Sequence, residues 1–297
     1  MLNRTEWKGI YPALLTPFTQ NDTINERSLR QLIQLNLRKG VQGFYACGST
    51  AEAFMLSVEQ RKRLLEMVVD EVAGRAKVIA HIGAISQLQA VDLAKHANGC
   101  GVDMISSIPP FYYGFPFEQI RDYYFALADA TDKPVLIYHF PANSGVQLTA
   151  DKVDTFLQDK RFAGIKFTSS DFFMLEQIRS RHPNALVFNG YDEMFLGGLA
   201  MGADGGIGST YNFMAEKFRT ILRLYQEGRM QEAFEVQQQA NRVITALIRY
   251  GVTASEKAAL SMMGIDMGEC LKPTRSLSGE EKAELKKVLC ECGCLNG

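Results

Sequence analysis

The 297-residue chain sets 32 lysines and arginines against 33 aspartates and glutamates, a formal net charge of −1, with 46% hydrophobic and 22% charged residues. That balance, without a block of five or more like charges, excludes the strongly basic surface that attracts nucleic acid or an acidic membrane. No stretch has the apolar length of a membrane-spanning helix, and "MLNRTEWKGIYPALL" lacks the basic segment and long apolar run of a signal peptide, so the cytoplasm is the expected compartment.

Eight short, nearly continuous apolar runs follow in chain order. They are "GIYPALLTP" from Gly9, "GFYACGS" from Gly43, "KVIAHIG" from Lys77, "DMISSIP" from Asp103, "PVLIYHF" from Pro134, "FAGIKFT" from Phe162, "ALVFNGY" from Ala185 and "GGIGST" from Gly205. Helical spacing fills the gaps, as in Leu29, Leu32, Ile33 and Leu37 closed by Gly40. Ser57 with Gln60, Ser86 with Gln89 and Ser278 with Glu281 have the spacing of a capping box at a helix start. Strands recurring roughly every 25 to 30 residues match one strand–helix unit each. Eight right-handed parallel units close an eight-stranded parallel β/α (TIM) barrel over residues 1–228, and residues 229–297 form additional C-terminal helices packed beside it. An open doubly wound sheet would want a Gly-x-Gly-x-x-Gly turn after the first strand, and "ALLTPFTQND" has no glycine.

Of the six cysteines, Cys47, Cys100 and Cys270 read as small buried hydrophobes. Cys290, Cys292 and Cys294 in "CECGC" lack the wide loops of a structural zinc site, so a flexible, reduced tail is expected. The histidines do not cluster, which disfavours a metal site.

Lys166 stands in the middle of "FAGIKFT". Gly164, Lys166 and Thr168 share one parity and Ile165 and Phe167 the other, so the bulky pair can face the helices while the lysine points into the barrel. A desolvated ammonium loses pKa, and the free amine is a nucleophile toward carbonyl carbon; the plain alternative is a lysine snorkelling to the rim. Further polar groups gather at other strand ends. Ser49 and Thr50 end "YACGST", where hydroxyls and unpaired amides suit a carboxylate or simply cap a helix. Tyr138 ends "LIYHF" and needs a partner for its hydroxyl, in the site or in the core. Gly190, Asp192 and Glu193 follow the seventh strand; paired acids accept hydrogen bonds from a polyhydroxylated ligand, or merely complement a helix dipole. "GADGGIGSTYN", with Gly208 and Ser209, lets backbone approach a ligand closely. Together these groups suggest amine catalysis on a carbonyl compound bearing an acid and hydroxyls.

With "GSTAEAF", "YHFPANSG", "GIKFTSSD" and "NGYDEMF…GADGGIGSTYN", the chain resembles the N-acetylneuraminate lyase branch of the dihydrodipicolinate synthase superfamily of pyruvate-dependent class I aldolases. The resemblance implies a Schiff base at Lys166 with open-chain N-acetylneuraminate, proton transfer by Tyr138 with Ser49, and Tyr112 lent to a neighbouring subunit. It also implies Thr50 on the pyruvoyl carboxylate, with Thr168, Gly190, Asp192, Glu193, Gly208 and Ser209 along the sugar chain. Pyruvate and N-acetylmannosamine would be the products, with no metal or organic cofactor, in a homotetramer. Two positions depart from the pattern. Ala51 replaces the usual glycine of "GSTGE", which is tolerable only at negative φ. Asn143 stands where the synthases carry an arginine for a second carboxylate, which argues against aspartate-semialdehyde condensation. The alternatives are a dihydrodipicolinate synthase or 2-keto-3-deoxy sugar acid aldolase, a non-catalytic sugar-acid-binding barrel and, on the glycine loop alone, a phosphosugar enzyme.

Overall fold

The computed structural model describes residues 3–295. Eight parallel strands, β1 (Gly9–Pro12), β2 (Gly43–Ala46), β3 (Lys77–His81), β4 (Met104–Ser107), β5 (Val135–His139), β6 (Phe162–Phe167), β7 (Leu186–Asn189) and β8 (Gly205–Gly208), pair in sequential order, and β8 pairs back onto β1. The last gap is closed by a parallel bridge between Ala13 and Tyr45, with Gln42 N donating to Ile10 O at 3.0 Å and Leu14 N to Tyr45 O at 2.9 Å. This is a closed barrel, and the doubly wound alternative is excluded. Every strand residue except Lys77 is buried, which explains why the strands read as apolar runs rather than alternating ones.

The alternation of side chains separates two cores. Tyr11, Tyr45, Ile79, Met104, Leu136, Tyr138, Phe188 and Ile207 fill the barrel interior. Ile10, Phe44, Ile105, Ile137, Ile165, Phe167 and Val187 point outward into the layer between strands and helices. Ala163 is the extra residue of a bulge, since Val135 pairs with Phe162 while Leu136 pairs with Gly164. Beyond the bulge, Ile165 and Phe167 face outward and Lys166 sits in register with Tyr138 and Phe188, both interior.

The outer ring comprises α1 (Glu26–Arg38), α2 (Val58–Val72), α3 (Gln87–Cys100), α4 (Phe117–Asp129), α5 (Pro141–Ser144), α6 (Ala150–Leu157), α7 (Phe172–Arg181), α8 (Phe195–Ala200) and α9 (Tyr211–Gln226). After these come α10 (Met230–Tyr250), α11 (Val252–Met262) and α12 (Gly279–Glu291), with α10 packed along α9 and all three packed on one another. In α1, Asn25 accepts from Ser28 N to start the helix, Leu29, Leu32 and Ile33 bury one face, and Gly40 takes the positive φ that follows its end. Both bonds of the capping box form at Ser57–Gln60 and at Ser278–Glu281.

Three expectations need correction. Ser86 is the N-cap of α3, but its side chain makes no capping bond. Each strand apart from β5 and β6 ends two or more residues before its apolar run does, because the chain there turns into the loops at the barrel mouth. The cysteines do not lie on a loose tail: Leu285 and Leu289 anchor α12 in the core, Cys290 is the helix's penultimate residue and Cys292 is buried. All six thiols are free, and among the described residues no group of three His, Cys, Asp or Glu is placed to hold a metal ion.

Candidate active site

Lys166 is 4% exposed. Its Nζ lies 4.0 Å from the ring centre of Tyr138 and 4.2 Å from that of Tyr45, so the ammonium has aromatic faces where water would otherwise be. Burial pushes its pKa down to about 7, against a smaller upward pull from Asp192. The barrel thus holds an amine whose pKa burial brings down toward neutral pH, where the free base becomes accessible.

Tyr138 is buried beside it, stacked on Phe140 with ring centres 5.8 Å apart and edge-on to Tyr45 and His81 at 6.0 Å. Burial raises its pKa, and the nearby hydroxyls of Thr168 and Ser49 oppose that rise. His81 is neutral: its Nδ1 meets the Cys47 carbonyl at 3.1 Å and its Nε2 accepts from Ile108 N at 3.2 Å, so the single proton belongs on Nδ1. Burial, with Arg61 next, holds its pKa well below the usual range.

Ser49 and Thr50 open a short 3₁₀ turn (Ser49–Ala51) after β2. The first amides of such a turn have no intrahelical acceptor, and both side chains are half-buried. Ala51 is buried and absent from the residues of positive φ, so its Cβ is accommodated; the left-handed position falls on Glu52, at φ 58°. Glu52 is held there by a buried ion pair to Lys257 Nζ of α11 at 2.6 Å and by accepting from Leu271 N at 2.7 Å.

Asp192 and Glu193 form the 3₁₀ turn after β7. Asp192 Oδ2 accepts from Thr210 N at 2.9 Å and Thr210 Oγ1 at 2.6 Å, while its buried Oδ1 has no hydrogen-bond partner among the described residues. Desolvation raises this carboxyl to about 6, with the Thr210 bonds pulling the other way. The turn is braced from α10, where Gln237 Nε2 donates to Asp192 O at 3.1 Å and Asn241 Nδ2 to Glu193 O at 3.0 Å. Gly190 and Gly208 are required by close approach, since a Cβ would overlap Thr168 Oγ1 at the first and the Asp192 carboxyl at the second.

These groups line one cavity of about 490 Å³ at the C-terminal mouth of the barrel. Ser49, Thr50, Tyr138, Lys166, Thr168, Gly190, Asp192, Glu193, Gly208 and Ser209 all border it, as does Asn143. Among the described residues, Lys166 is the only lysine or arginine in that lining. Tyr112 lies elsewhere, 83% exposed at φ 77° and edge-on to Tyr113 at 5.0 Å. The sequence reading missed Tyr45, whose interior parity was the available signal. It also missed the wall that Ile244, Leu247, Ile248, Val252 and Thr253 contribute, so α10 and α11 build the site rather than flank it.

Residues 6–292 match the Dihydrodipicolinate synthetase family. The N-acetylneuraminate lyase of Escherichia coli O1:K1 is 42% identical over 286 residues, 96% of each chain. A Clostridium difficile protein crystallised in complex with mannosamine superposes with a TM-score of 0.94 at 38% identity, covering 96% of this chain and 99% of that one. A Ruminococcus gnavus sialic acid aldolase, solved as its catalytic lysine mutant, superposes with a TM-score of 0.95 at 30% identity, covering 99% of both. The barrel, the interior lysine and these matches over nearly the whole length lead to one conclusion: the chain belongs to the dihydrodipicolinate synthetase family.

Proposed function

We propose that the chain cleaves N-acetylneuraminate to pyruvate and N-acetylmannosamine through a Schiff base at Lys166. The observation that carries this reading is the burial of Lys166 in a cavity whose other polar side chains are hydroxyls, acids and the Asn143 amide. The free amine adds to the ketone of the open-chain sugar, and loss of water leaves an iminium. Tyr138 gives the departing water its proton. That leaves a phenolate beside the iminium; burial alone disfavours this charged form, and the positive charge of the iminium stabilises it at the moment a base is needed. Tyr138 takes the proton of the hydroxyl β to the iminium carbon, the carbon–carbon bond breaks and its electrons settle as an enamine. N-acetylmannosamine leaves as the aldehyde; protonation of the enamine and hydrolysis release pyruvate and restore the amine.

Thr50 and the turn amides hold the carboxylate, and Ser49 passes protons with Tyr138. Thr168, Gly190, Asp192, Glu193, Gly208 and Ser209 receive the hydroxylated chain, to which ionised or neutral carboxyls offer acceptors. Residues 1–228 make the catalytic barrel and 229–297 its helical extension, in a cytoplasmic homotetramer where Tyr112 reaches into a neighbouring subunit's site. With Asn143 in the lining and no arginine, a second carboxylate or a phosphate has no cationic partner beyond Lys166 itself. Pyruvate release from N-acetylneuraminate, from 2-keto-3-deoxygluconate and in condensation with aspartate semialdehyde tests the assignment. Turnover of the first well above the others is expected, and a preference for either of the others overturns it.

A further inference from the structure

Glu256 lies on α11 one turn beyond Val252 and Thr253, which border the cavity. Its side chain is fully buried, and neither carboxyl oxygen has a hydrogen-bond partner among the described residues. The hydroxyl of Ser209, itself in the cavity lining, faces this carboxyl without a hydrogen bond closed between them. The neighbouring Lys257 gives no relief, because it is committed to Glu52 and to Glu269 O. A buried carboxyl with two empty oxygens is costly unless something uses it.

We propose that Glu256 is a positioning residue for sugar-chain recognition: as a neutral acid behind the cavity wall, it donates its O–H to Ser209 Oγ and thereby turns the Ser209 proton toward the ligand. This rests on the lyase reading above and adds to it a residue that does not itself touch substrate. A neutral acid is what burial favours, since desolvation raises Glu256 to about 8; the Ser209 hydroxyl pulls the other way, and the charge of Asp192 adds a smaller rise. The titratable groups that face it are Asp192, on the turn after β7, and the Cys270 thiol, in the segment after α11; neither is a cation that would hold it ionised. Once Glu256 loses its proton it can only accept, Ser209 turns its own proton back, and the cavity is left with lone pairs where a donor stood.

The test is steady-state kinetics with N-acetylneuraminate on the full-length enzyme and on Glu256→Gln and Glu256→Leu, each melted to check folding, with borohydride trapping of pyruvate alongside. Glu256→Leu is expected to raise KM about tenfold, the worth of one directed hydrogen bond, with pyruvate trapping unchanged and the melting temperature not lowered. Glu256→Gln, neutral and able to donate at every pH, is expected to keep a near-native KM. The wild-type KM is expected to rise above about pH 8, and Glu256→Gln is expected to abolish that rise; a wild-type KM that stays flat there also overturns the proposal. An unchanged KM in a folded Glu256→Leu overturns the proposal. So does a Glu256→Gln enzyme that retains the alkaline rise, and this arm decides the matter if the leucine variant does not fold. Failure of the wild type to trap pyruvate sinks the lyase reading itself, whereas intact trapping with an indifferent KM sinks only the role of Glu256.

Discussion

Lys166 makes two demands on the barrel that can be measured separately. Its pKa falls from 10.5 to about 7 on burial, so between those values the unfolded chain binds the proton more readily than the folded one. Stability therefore rises with pH across that window, and the cost of the buried amine is greatest below pH 7. Lys166→Met should melt higher than the wild type at pH 6, and the gap should shrink toward pH 10; a gap that does not depend on pH contradicts the assigned burial. The same variant should lose activity by about 10⁴-fold or more, as enzymes do when their nucleophile is removed. Tyr138→Phe keeps the ring packing against Tyr45 and Phe140 but removes the hydroxyl to which the proposed mechanism gives the proton transfers. Its kcat is expected to fall by about 10²–10⁴ with KM little changed, and a kcat within twofold of wild type would remove Tyr138 from the mechanism.

At the scale of elements, the loops are held to one another by groups that local sequence does not advertise. The Glu52–Lys257 pair ties the turn after β2, with Ser49 and Thr50, to α11, which walls the cavity. Both partners are almost wholly buried, so removing one leaves an unpaired charge. Glu52→Gln should cost about 3–5 kcal/mol in denaturant unfolding, and the double change Glu52→Leu with Lys257→Met should recover most of it. Equal destabilisation by the single and double variants would show that the pair carries no such coupling. The strands themselves were legible because each is buried on both faces, and the position of Lys166 because Ile165 and Phe167 could only point outward. Gln237 and Asn241 were not legible, as their bonds run to backbone carbonyls of the Asp192–Glu193 turn more than 40 residues away. Glu256 and Lys257 did leave a trace: two adjacent charges set among Val252, Ala254, Ala258, Ala259 and Leu260, where an exposed helix face would carry more polar neighbours.

Across the whole molecule, the barrel interior is a packed aromatic and aliphatic core at one end and a hydroxyl- and acid-lined cavity at the other, with Lys166 at the boundary. Packing supplies the dryness that lowers the amine's pKa, and the open mouth gives the substrate access to it. The proposed homotetramer would use Tyr112, exposed on a backbone of positive φ, outside its own chain. Tyr112→Ala and Lys166→Ala proteins should each be nearly inactive alone, yet recover activity when unfolded, mixed and refolded together. Random pairing of equal amounts would restore about a quarter of the sites. No recovery on mixing would mean that each chain is served by its own residues. The central question is whether the interior amine captures a keto acid. Borohydride reduction in the presence of pyruvate, followed by peptide mass analysis, should find the adduct on the peptide that contains Lys166 and nowhere else. An unmodified Lys166 after saturating pyruvate and reductant would contradict that capture.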